Sequence, residues 1–252
     1  MLGILGGMGP AATADFFAKL VRLTPARCDQ EHLPLLVSCL PQTPDRSAAI
    51  LGAGPSPLPH LLAGLRRLTD AGALAVVIPC NSSHHWFEQL QSATSVPILH
   101  IADAAIAALD ARPRGTGPVM ILSTRGTRSS GFFQRKLEAA GYSWGVPDGE
   151  LQREVDAVIG GIKAGEWVSA DAAMARVWQA FADSAISAVL LACTELPLAA
   201  ERLPPPRFPV VDTTLELARA SVAHGLAAGW VAADDASAFA WCAKPGASPR
   251  LP

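Results

Sequence analysis

Five cysteines are the residues with the most distinctive chemistry in this 252-residue chain, and two of them stand in the same context. Ala75-Val76-Val77-Ile78-Pro79-Cys80-Asn81 and Ala188-Val189-Leu190-Leu191-Ala192-Cys193-Thr194 are each a short apolar run that stops at a cysteine followed by a small polar side chain. Such runs suit parallel strands buried on both faces. Ligands of open α/β sheets bind outside the carboxyl ends of the strands, so two thiols at two such ends are candidates for one shared pocket. Disulfide redox chemistry would need the two sulfurs in contact, and neither has a resolving cysteine beside it in sequence. Covalent catalysis would need one thiol and a base, which Cys80 with His84 could supply. Proton transfer needs a deprotonated and a protonated group on opposite sides of one carbon, and a pair of equivalent thiols fits that case best. A helix N-terminus just after each cysteine is expected to lower its pKa into a useful range, with the pair titrating as a coupled unit.

The elements that must hold these thiols can be read in order. Gly3 to Leu5 ends a first strand, and Gly6-Gly7-Met8-Gly9-Pro10 leads into a helix over Ala11 to Leu23. The glycine spacing is not G-x-G-x-x-G and no acidic residue sits in a second βα unit, which argues against dinucleotide binding. These glycines are expected to let the backbone approach a small anion at the helix N-terminus. Leu35 to Leu40 is a second strand, ending in the stiff loop Pro41-Gln42-Thr43-Pro44-Asp45-Arg46, whose arginine could grip a carboxylate. A helix over Leu58 to Asp70 precedes the Cys80 strand, and Asn81 to Trp86 opens another with capping chemistry. Val96 to His100 is a short strand followed by a helix over Asp103 to Ala111.

Arg112-Pro113-Arg114-Gly115-Thr116-Gly117-Pro118 is the clearest linker, and after it the pattern starts again. Leu5 and Leu122, Phe16 and Phe132, Cys80 and Cys193, and Pro97 and Pro209 are matched at offsets of 117, 116, 113 and 112 residues. A steady offset across four separate pairs implies an internal duplication of one α/β unit. The expected fold class is therefore α/β: two similar domains with parallel four-stranded-type sheets flanked by helices, related by pseudo-two-fold symmetry, with the active site between them. Helices are expected near Leu151 to Ala164, near Ala170 to Ser184, and from Asp212 to about Ala227. The expected domains are 1–98 plus 212–229, then 99–211, with 230–252 an accessory tail.

Composition narrows the function. Half the residues are apolar, 17% are charged and the formal net charge is -2, with no dense basic block to favour nucleic acid. No stretch has the length of a membrane span, and the first residues lack the charged start of a signal peptide. The odd cysteine count without framework spacing points to reduced thiols and a cytoplasmic protein. Cys28, Cys39 and Cys242 lack the context of the other two and read as structural. No CxxC, HExxH or His/Cys cluster indicates a metal site, and no lysine stands in a recognisable pyridoxal phosphate motif.

At this point the residues carry a family likeness. Gly3-Ile4-Leu5-Gly6-Gly7-Met8-Gly9-Pro10-Ala11-Ala12-Thr13, Gln30-Glu31-His32, Pro41 to Arg46, Cys80-Asn81 with His84, and Ala192-Cys193-Thr194-Glu195-Leu196 together resemble the aspartate/glutamate racemases, nearest the aspartate racemase branch. The resemblance runs to about Ala227. It implies a two-domain α/β enzyme, usually a homodimer, that interconverts the enantiomers of an acidic amino acid with no cofactor. By the same resemblance Cys80 and Cys193 are the acid/base pair. Asn81 and Thr194 bind the α-carboxylate with Thr124 nearby, and Arg46 and Lys163 hold the side-chain carboxylate. Met8, Gln42 and Ser82 fall among the substrate-binding positions, and His84 and Glu195 support them, His84 as a positioning residue. Where the family has Cys-Asn-Thr, this chain has Cys80-Asn81-Ser82, which keeps the hydroxyl and loses the methyl. A glutamate or broader racemase, a decarboxylase or isomerase of small dicarboxylates, and a non-catalytic binder of acidic amino acids are the alternatives. A binder has no need of either thiol.

Overall fold

The computed structural model describes residues 1–230; the expected tail beyond Trp230, with Cys242, lies outside the described residues. The chain begins with β1 (Leu2–Gly6) and α1 (Pro10–Leu23), then β2 (Leu35–Cys39), α2 (Arg46–Ile50) and α3 (Leu58–Asp70). Next come β3 (Ala75–Val77), α4 (Phe87–Ser92), β4 (Ile98–Leu99) and α5 (Ile101–Asp110). The second half repeats the plan with β5 (Val119–Leu122), α6 (Arg125–Ser130), α7 (Phe132–Ala139), β6 (Trp144–Gly145) and α8 (Gly149–Ala164). It ends with α9 (Trp167–Phe181), β7 (Ala188–Leu191), α10 (Leu196–Ala200), β8 (Val210–Asp212) and α11 (Thr213–Ala227).

The strands form two four-stranded sheets of the same order, β2-β1-β3-β4 and β6-β5-β7-β8, with every pairing parallel. Each member of the first sheet thus has its counterpart at the same place in the second, as the offsets predict. The two-residue period of a strand divides the core cleanly. Leu2, Ile4, Val119 and Ile121 point into one cluster shared by both halves and filled by α1, α5, α7 and α11. Leu5 and Val76 point the other way onto α3, and Leu122 and Val189 onto α8 and α9. β1, β3 and β7 are buried along their whole length, which is why they read as unbroken apolar runs. No described helix is long and apolar enough to cross a membrane.

Buried charge reinforces the joint between the halves. Lys19 of α1, 1% exposed in its side chain, pairs with Asp15 at 2.7 Å and with Asp212 at 2.6 Å, and donates to Thr214 at 3.0 Å. Burial opposes its charge most strongly, but Asp212 and Asp15 outweigh that cost and raise its pKa above the ordinary lysine value. Asp212 meanwhile caps α11 by accepting from the backbone N–H of Thr214 and Leu215. The first residues of α11 are therefore anchored to α1.

One local expectation needs correction, and two others gain detail. Asn81 does not cap a helix: residues Ser82–Trp86 form a single 3-10 turn, and the Asn81 side chain bonds elsewhere. Gly6 and Gly7 serve the chain's own packing before any ligand. A side chain at Gly6 would collide with Thr13, and one at Gly7, which has φ +95, with the backbone of Leu40. Of the thiols read as structural, Cys39 is exposed at the end of edge strand β2 and Cys28 is only half-buried, so neither is a core residue.

Candidate active site

Cys80 and Cys193 lie just beyond the ends of β3 and β7, the same place in each sheet, and both are buried. They line one narrow cleft together with Met8, Arg46, Asn81, Ser82, Thr124, Lys163, Thr194 and Glu195. Its empty space totals about 310 Å³, solvent at its mouth included. All but two of the residues singled out from sequence thus converge. Gln42 does not: it is exposed on the turn before α2, and its neighbours Pro41 and Thr43 line an adjoining, wider cavity of about 1020 Å³ in its place. That cavity shares Arg46, Lys163 and Glu195 with the cleft. His84 stands behind the wall, where its ring holds the chain around Cys80.

Each thiol has its own setting. The Cys193 thiol donates to Glu195 Oε2 at 3.0 Å, and the Thr194 hydroxyl donates to the same oxygen at 3.2 Å. Burial first, and the Glu195 carboxylate second, push the Cys193 pKa well above the usual thiol range, while the charge of Lys163 pulls in the opposite direction. Cys193 is therefore a protonated thiol in the unliganded protein, the reverse of the expected lowering by a helix N-terminus. The helix that follows it, α10, is five residues long and starts after Glu195, so a full negative charge at contact outweighs a weak dipole. Cys80 is held from behind. His84 Nδ1–H donates to the Cys80 carbonyl at 3.0 Å, and His84 Nε2 accepts from the Ile101 N–H at 3.2 Å. Burial pushes the His84 pKa down to about 4, so the ring is neutral and works as a brace rather than as a base.

Two cations face the thiols. Arg46 is 9% exposed, and its guanidinium donates to the carbonyls of Thr43 at 3.1 Å, Pro44 at 3.0 Å and Met8 at 3.3 Å. No carboxylate among the described residues pairs with it; Asp45 is turned away to cap α2 at Ala48 N, and the Arg46 Nε is buried without a partner. Lys163, near the end of α8, retains exposed surface, yet burial of its ammonium is still the largest single influence and lowers its pKa. Glu195, Cys193 and Cys80 together outweigh that and raise it. A buried cation without an anion is costly unless a ligand supplies one.

A set of hydroxyls closes the cleft. Ser82 Oγ lies 2.8 Å from Thr127 Oγ1 and 3.3 Å from Thr124 Oγ1, and Thr124 caps α6 by accepting from the Thr127 N–H. Ser47 Oγ accepts from the Gly126 N–H at 3.1 Å, which ties α2 of one half to α6 of the other. Asp45, Ser47 and Thr127 were not among the site residues expected from the sequence. Asp45 and Ser47 flank Arg46 as a helix start, and the Asp-x-x-Ala cap is a signal that could have marked them. Thr127 has no such mark. Among the described residues no three His, Cys, Asp or Glu side chains converge as metal ligands.

This arrangement has known counterparts. The sequence model of the Asp/Glu/Hydantoin racemase family matches residues 5–221. The aspartate racemase of Picrophilus torridus is 30% identical, with 88% of this chain and 94% of that one covered and a TM-score of 0.78. The broad specificity amino-acid racemase RacX of Bacillus subtilis strain 168 is 26% identical over 240 residues, 90% of this chain and 99% of that protein. A glutamate racemase of Francisella tularensis solved with D-glutamate shares the fold alone, at 16% identity and a TM-score of 0.63 over 93% of this chain and 84% of that one. Two matched sheets, a thiol at the same end of each and a family match across most of the sequence agree: the chain belongs to the Asp/Glu/hydantoin racemase family and is an isomerase.

Proposed function

We propose that this enzyme racemises an acidic amino acid, aspartate first, by proton transfer between Cys80 and Cys193 with no cofactor. The observation that carries the reading is the company of the thiols: both line a cleft with two cations, one of them a buried guanidinium to which no described carboxylate is paired. The thiols account for chemistry at the α-carbon and the cations for a second carboxylate on the substrate. In the forward direction one thiolate removes the α-proton, and the opposite thiol gives its own proton to the other face of the carbanion. The product is the enantiomer, and the thiols have exchanged protonation states. Cys193, protonated and bonded to Glu195 in the free protein, is the acid of the first turnover and Cys80 the base. Lys163 lowers the cost of a thiolate at Cys193, and both thiols in turn favour the charge on Lys163. Met8, Ser82, Thr124 and Thr194 shape the cleft, while His84 and Glu195 support the thiols.

A second reading, turnover of larger or less acidic amino acids, is favoured by the wide cavity that shares Arg46 and Lys163 and by the likeness to a broad-specificity racemase. The thiols must stay reduced, which suits the cytoplasm, and the family resemblance leads us to expect a homodimer. The test is incubation with L-aspartate, L-glutamate and a panel of neutral amino acids in deuterium oxide, with no added cofactor. A deuterated D-enantiomer, absent with Cys80→Ala and with Cys193→Ala, is the expected result. Equal turnover of neutral and acidic substrates would remove the role given to Arg46 and Lys163, and no exchange with any amino acid would end the racemase reading.

A further inference from the structure

Behind the wall of the cleft lies another cavity of about 610 Å³, solvent at its mouth included, with His84 in its lining. Small-molecule sites measure about 300 to 1,000 Å³. Its walls are rings. The centroid of His100 lies 4.7 Å from that of His84, 4.5 Å from that of Phe87 and 5.7 Å from that of Phe132. Phe132 opens α7 of the second half, whereas the other three belong to the loop after β3, to α4 and to the start of α5. The cavity therefore sits at the joint between the halves, and none of these four rings lines the thiol cleft.

One donor opens on this space unused. His100 Nδ1 accepts from the Ala102 N–H at 3.1 Å as the cap of α5. Burial first, then His84 and Lys136, holds the ring's pKa far below the ordinary histidine value, so it is neutral and carries its one proton on Nε2. His100 is 9% exposed; its Nε2–H bonds to no described residue, yet the atom is not sealed in the core. What surface the ring keeps faces the cavity that it lines. Arg135 lines the same cavity, is exposed, and pairs with no carboxylate among the described residues, while Lys136 beside it is already held by Asp103. Glu88, in the same lining, disfavours a ligand with a second negative charge. A free N–H and a free guanidinium ask for one carboxylate, and the ring walls ask for a flat apolar body.

We propose that this cavity binds a small aromatic carboxylate, with its ring among Phe87, Phe132 and the two imidazoles and its anion on His100 Nε2 and Arg135, and that the bound acid acts on turnover through His84. The route is short, because the same His84 ring holds the Cys80 carbonyl at 3.0 Å. Binding stands apart from the racemase reading above, whereas the effect on turnover rests on it.

The probe is 3-phenylpropionate, titrated calorimetrically into the full chain, with 3-phenylpropanol as its uncharged control. A hydrogen bond to a charged group corresponds to about tenfold or more in affinity, so the acid is expected to bind at least about tenfold more tightly than the alcohol. Arg135→Ala changes an exposed side chain outside the cleft, and His100→Asn keeps a capping side chain on α5 while removing the Nε2–H. Each is expected to weaken the acid about tenfold. Lys163→Ala is expected to bind it as the wild type does, a necessary control because the cations of the cleft also attract carboxylates. Loss of binding in Lys163→Ala but not in Arg135→Ala would put the acid in the thiol cleft and overturn the site. Equal binding of acid and alcohol, or no binding at millimolar concentration, would overturn it too. If a melting curve shows His100→Asn unfolded, Arg135→Ala alone decides. In racemisation assays the saturating acid is expected to change kcat at least about twofold with KM nearly constant, and Arg135→Ala to lose that response. No response, or a rise in KM alone, would remove the route through His84. A wild type that binds the acid but racemises neither aspartate nor glutamate would count against the racemase reading and leave the site standing.

Discussion

His84 makes the stability of this protein sensitive to acid, and the size of the effect follows from its surroundings. The imidazole is 3% exposed, sits with its centroid 4.7 Å from that of His100, and spends both nitrogens on backbone groups of Cys80 and Ile101. Burial holds its pKa at about 4 against an ordinary 6.5. Between those two values the unfolded chain binds a proton that the folded chain refuses. The stabilisation is therefore complete above pH 6.5 and is lost as pH falls toward 4. A difference of that size corresponds to about 3 kcal/mol. Asparagine at this position keeps an N–H donor near the place of Nδ1 and does not titrate, so His84→Asn is the informative variant. Urea unfolding of wild type and variant, at several values from neutral pH down toward 4, gives the two slopes. The wild type is expected to lose about 2 to 3 kcal/mol more than the variant over that window; carboxylates contribute to both and cancel, whereas the part of the His100 shift that His84 causes is lost with the ring and belongs to the difference. Parallel slopes would refute the reasoning, because a ring that protonated freely in the fold could not be the buried, neutral brace of the Cys80 carbonyl.

Three other perturbations test the frame around the cleft. Lys19→Met leaves Asp15 and Asp212 facing each other without their cation, and is expected to cost about 3 to 5 kcal/mol in urea unfolding; a loss under about 1 kcal/mol would mean the triad is solvated. Glu195→Gln removes the negative charge against Cys193, so the thiol is expected to titrate at lower pH, read by ultraviolet thiolate absorbance in a Cys80→Ala background; an unmoved titration would assign the shift to burial alone. At Gly126 an added Cβ would come within 2.5 Å of the Ser47 Cα. Gly126→Ala is expected to push α2 from α6 at a cost of about 1 to 3 kcal/mol and to raise KM, since Arg46 opens α2; normal kinetics would show that the two halves tolerate separation there.

How much of this was legible in the sequence depends on how local each signal is. The strands that carry the thiols were plain because a parallel strand buried on both faces has no polar positions, and Ala75–Val77 and Ala188–Leu191 obey that rule. The duplication was plain because four matched pairs kept their offset, and the two sheets keep the same strand order. By contrast β6 is two residues, Trp144–Gly145, at the edge of its sheet, too short for any alternation to show. The helix α2 went unread because prolines at 41 and 44 dominate its approach, while its own five residues are too few for a period. Gln42 was drawn into the site by its place in a motif, although alternate residues of that turn face opposite ways and Thr43, not Gln42, is buried. Thr213 gave no signal, since its partner Asn81 lies 132 residues away and a threonine after a capping aspartate is ordinary helix-start chemistry.

The same duplication shows where the two halves have parted. At the offset of 113 that matches Cys80 to Cys193, Asn81 matches Thr194 and Ser82 matches Glu195. One thiol is therefore followed by a neutral hydroxyl that joins the Thr124 and Thr127 cluster, the other by a carboxylate that accepts its proton. Two equivalent thiols in equivalent surroundings would have no preference for which one held the proton. Here burial and the Glu195 carboxylate together hold a proton on Cys193. On the proposed two-thiol mechanism, a Cys193 that starts protonated suits the enantiomer whose α-hydrogen faces Cys80, and Cys193 must regain its proton after each turnover in that direction. Glu195→Gln, by equalising the two surroundings, is expected to bring the kcat values for the two enantiomers closer together, measured as initial rates from each side; an unchanged ratio would place the asymmetry in substrate binding instead of in the resting protonation state.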